Sequence, residues 1–248
     1  MSFQDYFSKQ ASIYAKARPT YPDELFTWLA SLAPSKGLCW DCATGNGQAA
    51  ISLAQHFNKI IATDASEKQI QNAIKHDKVE YRVATAEESG LPARSADLIT
   101  VATGAHWFQL DKFYAEANRV AKHNGVLAVW TYSEASISTA IDPLMTWFAY
   151  DFLYSYWPDG RWYVRNKYTT LPFPYQAMQT PDFNCRMLWN KQQWLNYVQS
   201  WSAYNNYVAK HKVDPLEVLL PKLNIIWNDT DIKEVTWPLH VKCAFLNQ

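Results

Sequence analysis

Apolar positions in the first half of the chain follow two alternating periods. Five short apolar runs have the length and composition of strands, and they lie at residues 37–40, 59–63, 79–83, 96–102 and 126–131. Between these runs, apolar residues recur at helical spacing, as in Ala49, Leu53 and Phe57. Strands that alternate with helices in this way predict a parallel sheet with right-handed crossovers.

The pattern changes after residue 133, where aromatic residues become dense. Of the 38 aromatic residues in the chain, 19 lie between Trp147 and Tyr207, which favours a packed helical core or an aromatic-lined cavity. The predicted elements of this half are an aromatic helix from Asp142, a loop at 161–174, a strand at 183–189, helices opening at Asn190 and Asp214, and a last strand at 235–246.

Together these elements predict an α/β fold built as one domain. The expected architecture is a doubly wound, mostly parallel, seven-stranded Rossmann-like sheet, with an aromatic-rich helical elaboration between the fifth and last strands. A chain of 248 residues is long enough for one such domain with a cap.

The composition of the chain limits the kinds of partner and the cellular location that we expect for it. The chain has 23 basic and 23 acidic side chains, and this balance argues against nucleic acid or an acidic membrane as a partner. Its first residues do not resemble a signal peptide, and no apolar run approaches the about 18 residues of a membrane span, so we expect a cytoplasmic protein. The four scattered cysteines provide no second pair of metal ligands, so we expect no metal.

A turn with two glycines joins the first strand to the following helix. Gly45 and Gly47 can adopt backbone angles that other residues avoid, and they let a ligand approach the main chain. Asp64 ends the second strand 17 positions after Gly47, where nucleoside-binding folds place an acid against the ribose diol. Asp41 directly precedes the loop and favours a cationic amino-acid moiety over a pyrophosphate, which its charge would repel.

These residues belong to a series of motifs that resembles a known family. In chain order the motifs are Tyr14 with Arg18–Pro22, Asp41–Gly47, Asp64, Ala86–Glu87 with Leu91–Pro92, and Asp97–Ile99 leading to His106–Phe108. Their order and spacing resemble class I S-adenosylmethionine-dependent methyltransferases. Within that class they are most similar to the small-molecule group of trans-aconitate and ubiquinone-biosynthesis enzymes. The likeness covers residues 5–132 and, more loosely, the last strand.

The resemblance implies S-adenosylmethionine as cofactor and S-adenosylhomocysteine as product. Asp41 would hold the cofactor's ammonium, directly or through water. The main chain at Ala43, Gly45 and Gly47 would pass under the methionyl part and the ribose. Asp64 would accept hydrogen bonds from both ribose hydroxyls.

Further contacts follow from the same resemblance. Ala65 follows the ribose acid, Thr85 and Ala86 would bracket the adenine, and Ala102 would offer its carbonyl to the ammonium. The arm that carries Tyr14 and Arg18 would close over the cofactor or the substrate. The domain (1–248) would then comprise an arm and helix at 1–35, a cofactor-binding core at 36–132, a substrate cap with the sixth strand at 133–233 and the last strand at 234–248.

Two positions depart from the family pattern. Ala43 stands where the family usually has glycine, and we expect binding to be retained unless that position needs a positive φ. Thr85 stands where the family often has an acid. Thr85 can still form a hydrogen bond, but the departure leaves the mode of adenine recognition open.

Methyl transfer from a sulfonium depends mainly on positioning the acceptor and excluding water. A hydroxyl or acidic carbon acceptor also needs a base, whereas a carboxylate does not. His106 follows the fourth strand, and it either acts as that base or shapes the pocket. Further candidates for the substrate pocket are Tyr21, Trp107, Arg161 and Arg165. The two arginines, with Lys167 nearby, either bind an acidic substrate or belong to a solvated loop.

Two other functions remain open at this stage. An NAD-dependent oxidoreductase would also use Asp64, although the third glycine of its motif is replaced by Ala50. A non-catalytic cofactor-binding module is the other alternative. For the methyltransferase, the expected partner is a small-molecule acceptor, and the chain is expected to be a monomer or a homodimer.

Overall fold

The computed structural model describes residues 18–247, so the predicted role of Tyr14 lies outside the described residues. The helices in this range are α1 (Asp23–Leu32), α2 (Gln48–Leu53), α3 (Glu67–Gln71), α4 (Leu110–Val120), α5 (Asp142–Trp147), α6 (Arg161–Arg165), α7 (Lys191–Gln199), α8 (Ser202–His211) and α9 (Leu216–Ile226). The strands are β1 (Leu38–Cys42), β2 (Lys59–Asp64), β3 (Val79–Val83), β4 (Ala96–Ala102), β5 (Ala121–Tyr132), β6 (Asn184–Trp189) and β7 (Lys233–Leu246).

The seven described strands form a sheet in the order β3-β2-β1-β4-β5-β7-β6. The strands from β3 to β5 are parallel to their neighbours, whereas β7 runs antiparallel to both β5 and β6. The chain reverses its direction of travel across the sheet between β1 and β4, and doubly wound sheets bind ligands at such a point. The predicted seven-stranded, mostly parallel fold is therefore confirmed.

Strand register brings three loops to one edge of the sheet. Cys42, the last residue of β1, lies opposite Thr63 of β2 and Val101 of β4. Parallel strands that end at the same level place their following loops side by side. The glycine loop after β1, the residues after Asp64 and the turn after β4 are thus neighbours at the carboxyl edge.

Apolar side chains cover both faces of the sheet. Along β5, Val126, Ala128 and Trp130 belong to the core on one face, while Leu127 and Val129 belong to the core on the other. This alternation is the period-two pattern of a strand buried on both sides. Burial of both faces explains why the central runs are almost wholly apolar, and it holds the carboxyl edge rigid.

Two local predictions were wrong. The segment predicted as a loop at 161–174 begins with the short helix α6, whose five residues are too few to show a helical period. The fifth strand, predicted at 126–131, begins at Ala121, and its pairing with β4 shifts between Ala96 and Leu98. Asn124 adopts a φ of 55° at this irregularity, a conformation that asparagine tolerates better than most residues.

The cap begins and ends its helices as its capping residues predict. Asn190 and Gln193 form a reciprocal capping box at the start of α7. Asp214 accepts a hydrogen bond from the Leu216 N–H at 2.8 Å where α9 begins. These signals are local in sequence, which is why they could be predicted without knowledge of the packing.

Three further observations on the described residues concern membrane-spanning helices, cysteines and metal sites. No helix in this part of the chain is both long and apolar enough to cross a membrane. The four cysteines are buried and unpaired. Among residues 18–247, no group of His, Cys, Asp and Glu side chains is arranged to hold a metal ion.

Candidate active site

Asp41 is a fully buried carboxylate beneath the glycine loop. Its two oxygens accept hydrogen bonds from the hydroxyls of Thr44, at 2.5 Å, and Thr100, at 2.7 Å. Burial raises the pKa of Asp41 to about 6, the two hydroxyls oppose that rise, and the charge of Asp64 adds to it. None of the ion pairs among the described residues involves Asp41, so a cationic ligand group near the loop would stabilise its charge.

Ala43 has the positive φ that the sequence analysis identified as critical. Its φ is 55°, a left-handed conformation that costs an L-residue about 1 kcal/mol. A Cβ built on Gly104, in the turn after β4, would lie 2.8 Å from the Cβ of Ala43. Gly104 therefore makes room for the methyl group that a glycine at position 43 would lack.

Asp64 joins the end of β2 to the glycine loop. Its Oδ2 accepts a hydrogen bond from the Gly45 N–H and its Oδ1 accepts one from the Ser66 N–H, both at 2.8 Å. Gly45 has a φ of 58°, so a residue with a side chain would be strained there. An ionised carboxylate has about four acceptor positions, so a carboxylate here can accept from ligand hydroxyls as well as from the main chain.

Gly47 is closely covered by Tyr81 of β3. Its φ is 87°, and a Cβ at this position would lie 2.1 Å from the Tyr81 hydroxyl oxygen. The Tyr81 hydroxyl donates to the carbonyl of Ile74 at 2.6 Å, which fixes the ring over the loop. Sequence reasoning missed Tyr81 as a residue that shapes the loop. Its alternation with polar neighbours indicated a strand, but nothing local indicated which loop it covers.

The predicted adenine-side residues lie in the turn after β3. The Ala84 N–H donates to the carbonyl of Asp64 at 3.0 Å, so this turn adjoins the ribose acid. Ala86 is buried, whereas Thr85 is exposed and pairs with Glu88 across the turn. Ala65, directly after Asp64, is half-buried. The structure thus brings Asp64, Ala65, Thr85 and Ala86 together.

The end of β4 forms the opposite wall of the crevice. Ala102 is half-buried and lies opposite Trp130 of β5. The next residue, Thr103, has a φ of 57°, and its N–H donates to the Trp130 carbonyl at 2.8 Å. The hydroxyls of Thr103 and Tyr21 form a hydrogen bond at 3.2 Å, so the arm before α1 reaches the end of β4.

Arg18 anchors the arm across the carboxyl edge. Its Nη1 donates to the Tyr132 hydroxyl at 2.6 Å, at the end of β5, and its Nη2 donates to the Ser200 carbonyl at 3.2 Å, after α7. One residue further on, the Pro19 carbonyl accepts a hydrogen bond from Gln48 at the start of α2. The arm therefore crosses from the glycine loop to the cap, and Arg18 lies at the cap end of that path.

His106 follows β4 in a 3₁₀ turn (Ala105–Trp107). Its Nδ1 forms a 2.8 Å hydrogen bond with the hydroxyl of Tyr168, which is fully buried. Burial, reinforced by the positive charge of Arg161, lowers the pKa of His106 to about 3. The imidazole of His106 is therefore neutral at physiological pH and has a low affinity for a proton.

Trp107, Arg161 and Arg165 occupy different environments. Trp107 is 41% exposed, and its ring centroid lies 4.7 Å from that of His106. Arg161 packs over the Trp157 ring at 4.7 Å, and its Nε is buried. Arg165 is exposed and lies 4.5 Å from the centroid of the Tyr150 ring. The structure brings Arg161 to His106, while Arg165 lies one helical turn further along α6.

The strand order, the glycine loop and the two strand-end acids define a Rossmann-like protein of the methyltransferase type. Residues 40–129 match the family model of the methyltransferase domain. A methyltransferase-family protein of Dictyostelium discoideum is 32% identical over 247 residues, an alignment that covers 96% of this chain and 94% of that protein. The chain therefore belongs to the class I methyltransferase family.

Solved structures agree with this assignment. A methyltransferase-family protein of Anaeromyxobacter dehalogenans superposes with a TM-score of 0.87 at 36% identity, covering 93% of this chain and 99% of that one. One from Bacillus halodurans superposes with a TM-score of 0.53 at 21% identity, covering 91% and 99%, and shows likeness of fold alone. The first similarity spans the cap as well as the core.

Proposed function

We propose that the chain is an enzyme that uses S-adenosylmethionine to methylate a small-molecule acceptor. The observation that carries this proposal is Asp41, a buried carboxylate under the glycine loop that has hydroxyl donors but no cationic partner among the described residues. A cofactor that ends in an ammonium complements that charge, whereas the pyrophosphate of a dinucleotide does not. Family membership supports the same reaction class.

The residues at the carboxyl edge fit the cofactor from end to end. Asp64 is fixed by two backbone N–H groups and would accept hydrogen bonds from the ribose hydroxyls. The turn with Thr85 and Ala86 provides the adenine side, and the carbonyl of Ala102 provides a second contact for the ammonium. When bound, S-adenosylmethionine supplies an electrophilic methyl group and leaves as S-adenosylhomocysteine.

The remaining residues orient the acceptor and exclude water. Tyr21 and Arg18 hold the arm across the edge of the sheet. Trp107 provides an apolar wall near the end of β4. Positioning of this kind supplies most of the rate enhancement that a methyl transfer requires.

His106 fits a positioning role better than the role of a general base. A base with a conjugate-acid pKa of about 3 takes up a proton poorly at neutral pH. Tyr168 keeps its proton because burial raises the pKa of its hydroxyl, and we assign it as the donor to His106 Nδ1. Nε2 then carries the imidazole proton and can donate a hydrogen bond to an acceptor.

Turnover of a substrate panel tests the proposal. The protein is incubated with S-adenosylmethionine and small acids, phenols and amines, and S-adenosylhomocysteine is quantified by mass spectrometry. The expected result is acceptor-dependent product formation that falls at least tenfold in Asp64→Ala. Tight S-adenosylhomocysteine binding without turnover of any acceptor would instead support a non-catalytic module.

A further inference from the structure

Arg161 is a half-buried cation at the start of α6. Its Nε is buried and has no hydrogen-bond partner, and none of the ion pairs among residues 18–247 includes it. Leaving a buried donor unsatisfied costs about 1–3 kcal/mol, and more when the group is charged. A group of this kind in a family of enzymes indicates that a ligand supplies the missing acceptor.

Aromatic groups surround the guanidinium. It packs over the ring of Trp157 at 4.7 Å. Burial raises the pKa values of Tyr150 and Tyr197, and the charge of Arg161 opposes both rises. The same charge reinforces the lowering of the His106 pKa by burial. Arg161 thus faces the end of β4 through His106 and the cap through Tyr197, among aromatic rings that Arg18 and Arg165 also contact.

Trp201 provides a second donor beside the same ring. Its indole Nε1 is buried and has no hydrogen-bond partner among the described residues. Its ring centroid lies 5.6 Å from that of Trp157, the ring over which Arg161 packs. The Trp157 ring therefore lies beside two side chains, Arg161 and Trp201, and each of them has a buried N–H donor without an acceptor.

The start of α6 packs on the turn after β4, beside His106 and Trp107. A Cβ built on Gly160 would lie 3.1 Å from the carbonyl oxygen of His106 and 3.6 Å from Cζ3 of Trp107. Glycine at this position therefore lets α6 pack directly on the turn after β4. Arg161, the next residue, belongs to the same side of the site as His106 rather than to the glycine loop.

We propose that Arg161, with Trp157 and Trp201, forms a binding site for a carboxylate group of the methyl acceptor. This assignment rests on the proposed function, because it names the substrate class of that enzyme. A guanidinium presents parallel N–H donors that match a planar carboxylate. A cation flanked by aromatic rings matches a carboxylate on an apolar or aromatic body.

A carboxylate acceptor also agrees with the environment of His106. Carboxylates are already deprotonated at neutral pH, so an acceptor of this class needs no general base. Glu134, the acid whose charge also acts on Tyr150, accepts a hydrogen bond from the Tyr150 hydroxyl and forms no ion pair with Arg161. The cap therefore leaves the Arg161 charge available for a ligand.

Binding of benzoate and of benzamide, its uncharged isostere, tests the assignment by NMR titration. We expect wild-type protein to bind benzoate at least tenfold more tightly than benzamide. Arg161→Leu should lose that preference. Arg165→Leu is the matched control, because it removes the same charge from an exposed residue one helical turn along α6, and it should retain the preference.

The imidazole signals of His106 provide a readout that does not depend on activity. Arg161→Leu and benzoate binding should both raise the His106 pKa, since each removes or neutralises the nearby positive charge. Equal binding of benzoate and benzamide to wild-type protein, or a preference that survives in Arg161→Leu, would overturn the assignment. The wild-type comparison stands even when a variant fails to fold.

A separate titration with S-adenosylhomocysteine distinguishes the two proposals. Wild-type protein that binds S-adenosylhomocysteine but shows no preference for benzoate contradicts the carboxylate site alone. Wild-type protein that prefers benzoate but does not bind S-adenosylhomocysteine contradicts the proposed function and leaves the anion site intact. Arg161→Leu is expected to bind S-adenosylhomocysteine as tightly as wild type, because it lies away from the glycine loop.

Discussion

Asp41 and Ala43 each carry an energetic cost at the glycine loop, and the two costs have different physical causes. Asp41 places a charge where water cannot reach it, and burial raises its pKa as a result. Ala43 holds a left-handed backbone conformation that glycine would adopt without strain. Both costs arise at the site where the cofactor is proposed to bind, and both are measurable in single variants.

The Ala43–Gly104 contact predicts a coupling between two small residues. Gly104→Ala would bring two Cβ atoms within 2.8 Å, and overpacking of this kind typically costs about 1–3 kcal/mol. In an Ala43→Gly background the second Cβ is absent, so most of that cost should disappear. Urea unfolding of the four proteins of this cycle measures the coupling energy, which we expect to be at least about 1 kcal/mol. The same cost for Gly104→Ala in both backgrounds would refute the contact.

The raised pKa of Asp41 predicts that part of the free energy of unfolding depends on pH. Its pKa is raised from 3.8 to about 6, so between these values the native state holds a proton that the unfolded state has released. The contribution of Asp41 to the free energy of unfolding therefore falls as pH rises through this window, by about 3 kcal/mol in total. Asp41→Asn removes the Asp41 contribution, together with the charge that acts on the neighbouring Asp64.

The stability difference between Asp41→Asn and wild type isolates this effect. We expect the variant to gain stability relative to wild type as pH rises from 4 to 7, as measured by urea unfolding at each pH. A difference that does not change with pH would show that Asp41 has an ordinary pKa. Titrating groups that do not interact with Asp41 contribute equally to both proteins and cancel in the comparison, whereas Asp64 interacts with Asp41 and does not.

At the scale of elements, predictions succeeded where the signal was local or periodic. The β-strand runs, the capping box at Asn190 and the opening of α9 at Asp214 all appear in the structure. The short helix α6 did not show a period, and the irregular start of β5 resembled a turn. Contacts such as Gly47 with Tyr81 join residues far apart in sequence, so a pattern along one segment does not reveal them.

Strand β3 is expected to hold the glycine loop through Tyr81. Tyr81→Ala removes the ring over Gly47 and the hydrogen bond to Ile74, so the loop should lose its fixed conformation. We expect S-adenosylhomocysteine affinity, measured by calorimetry, to fall at least tenfold. Glu80→Ala on the same strand serves as the control, because Glu80 lies opposite Ile61 rather than Asp64 and its side chain is 43% exposed. Unchanged affinity in Tyr81→Ala would exclude this role for β3.

At the scale of the whole molecule, the sheet brings separate motifs to one edge. The residues of the candidate site come from the ends of β1, β2, β3 and β4, from the arm before α1 and from the cap. The parallel core made this convergence predictable, since the strand ends and their following loops share one side. The cap was not predictable in the same way, because Arg161 meets His106 only through the packing of α6 on the turn after β4.

Calorimetric titration with S-adenosylhomocysteine and with NAD tests the central claim most directly. We predict that wild-type protein binds one S-adenosylhomocysteine per chain, that it does not bind NAD, and that Asp64→Ala weakens S-adenosylhomocysteine binding at least tenfold. The last expectation follows from the two backbone N–H groups that fix Asp64 toward the loop. Binding of NAD without S-adenosylhomocysteine would contradict the account, and unchanged affinity in Asp64→Ala would remove Asp64 from the ribose site.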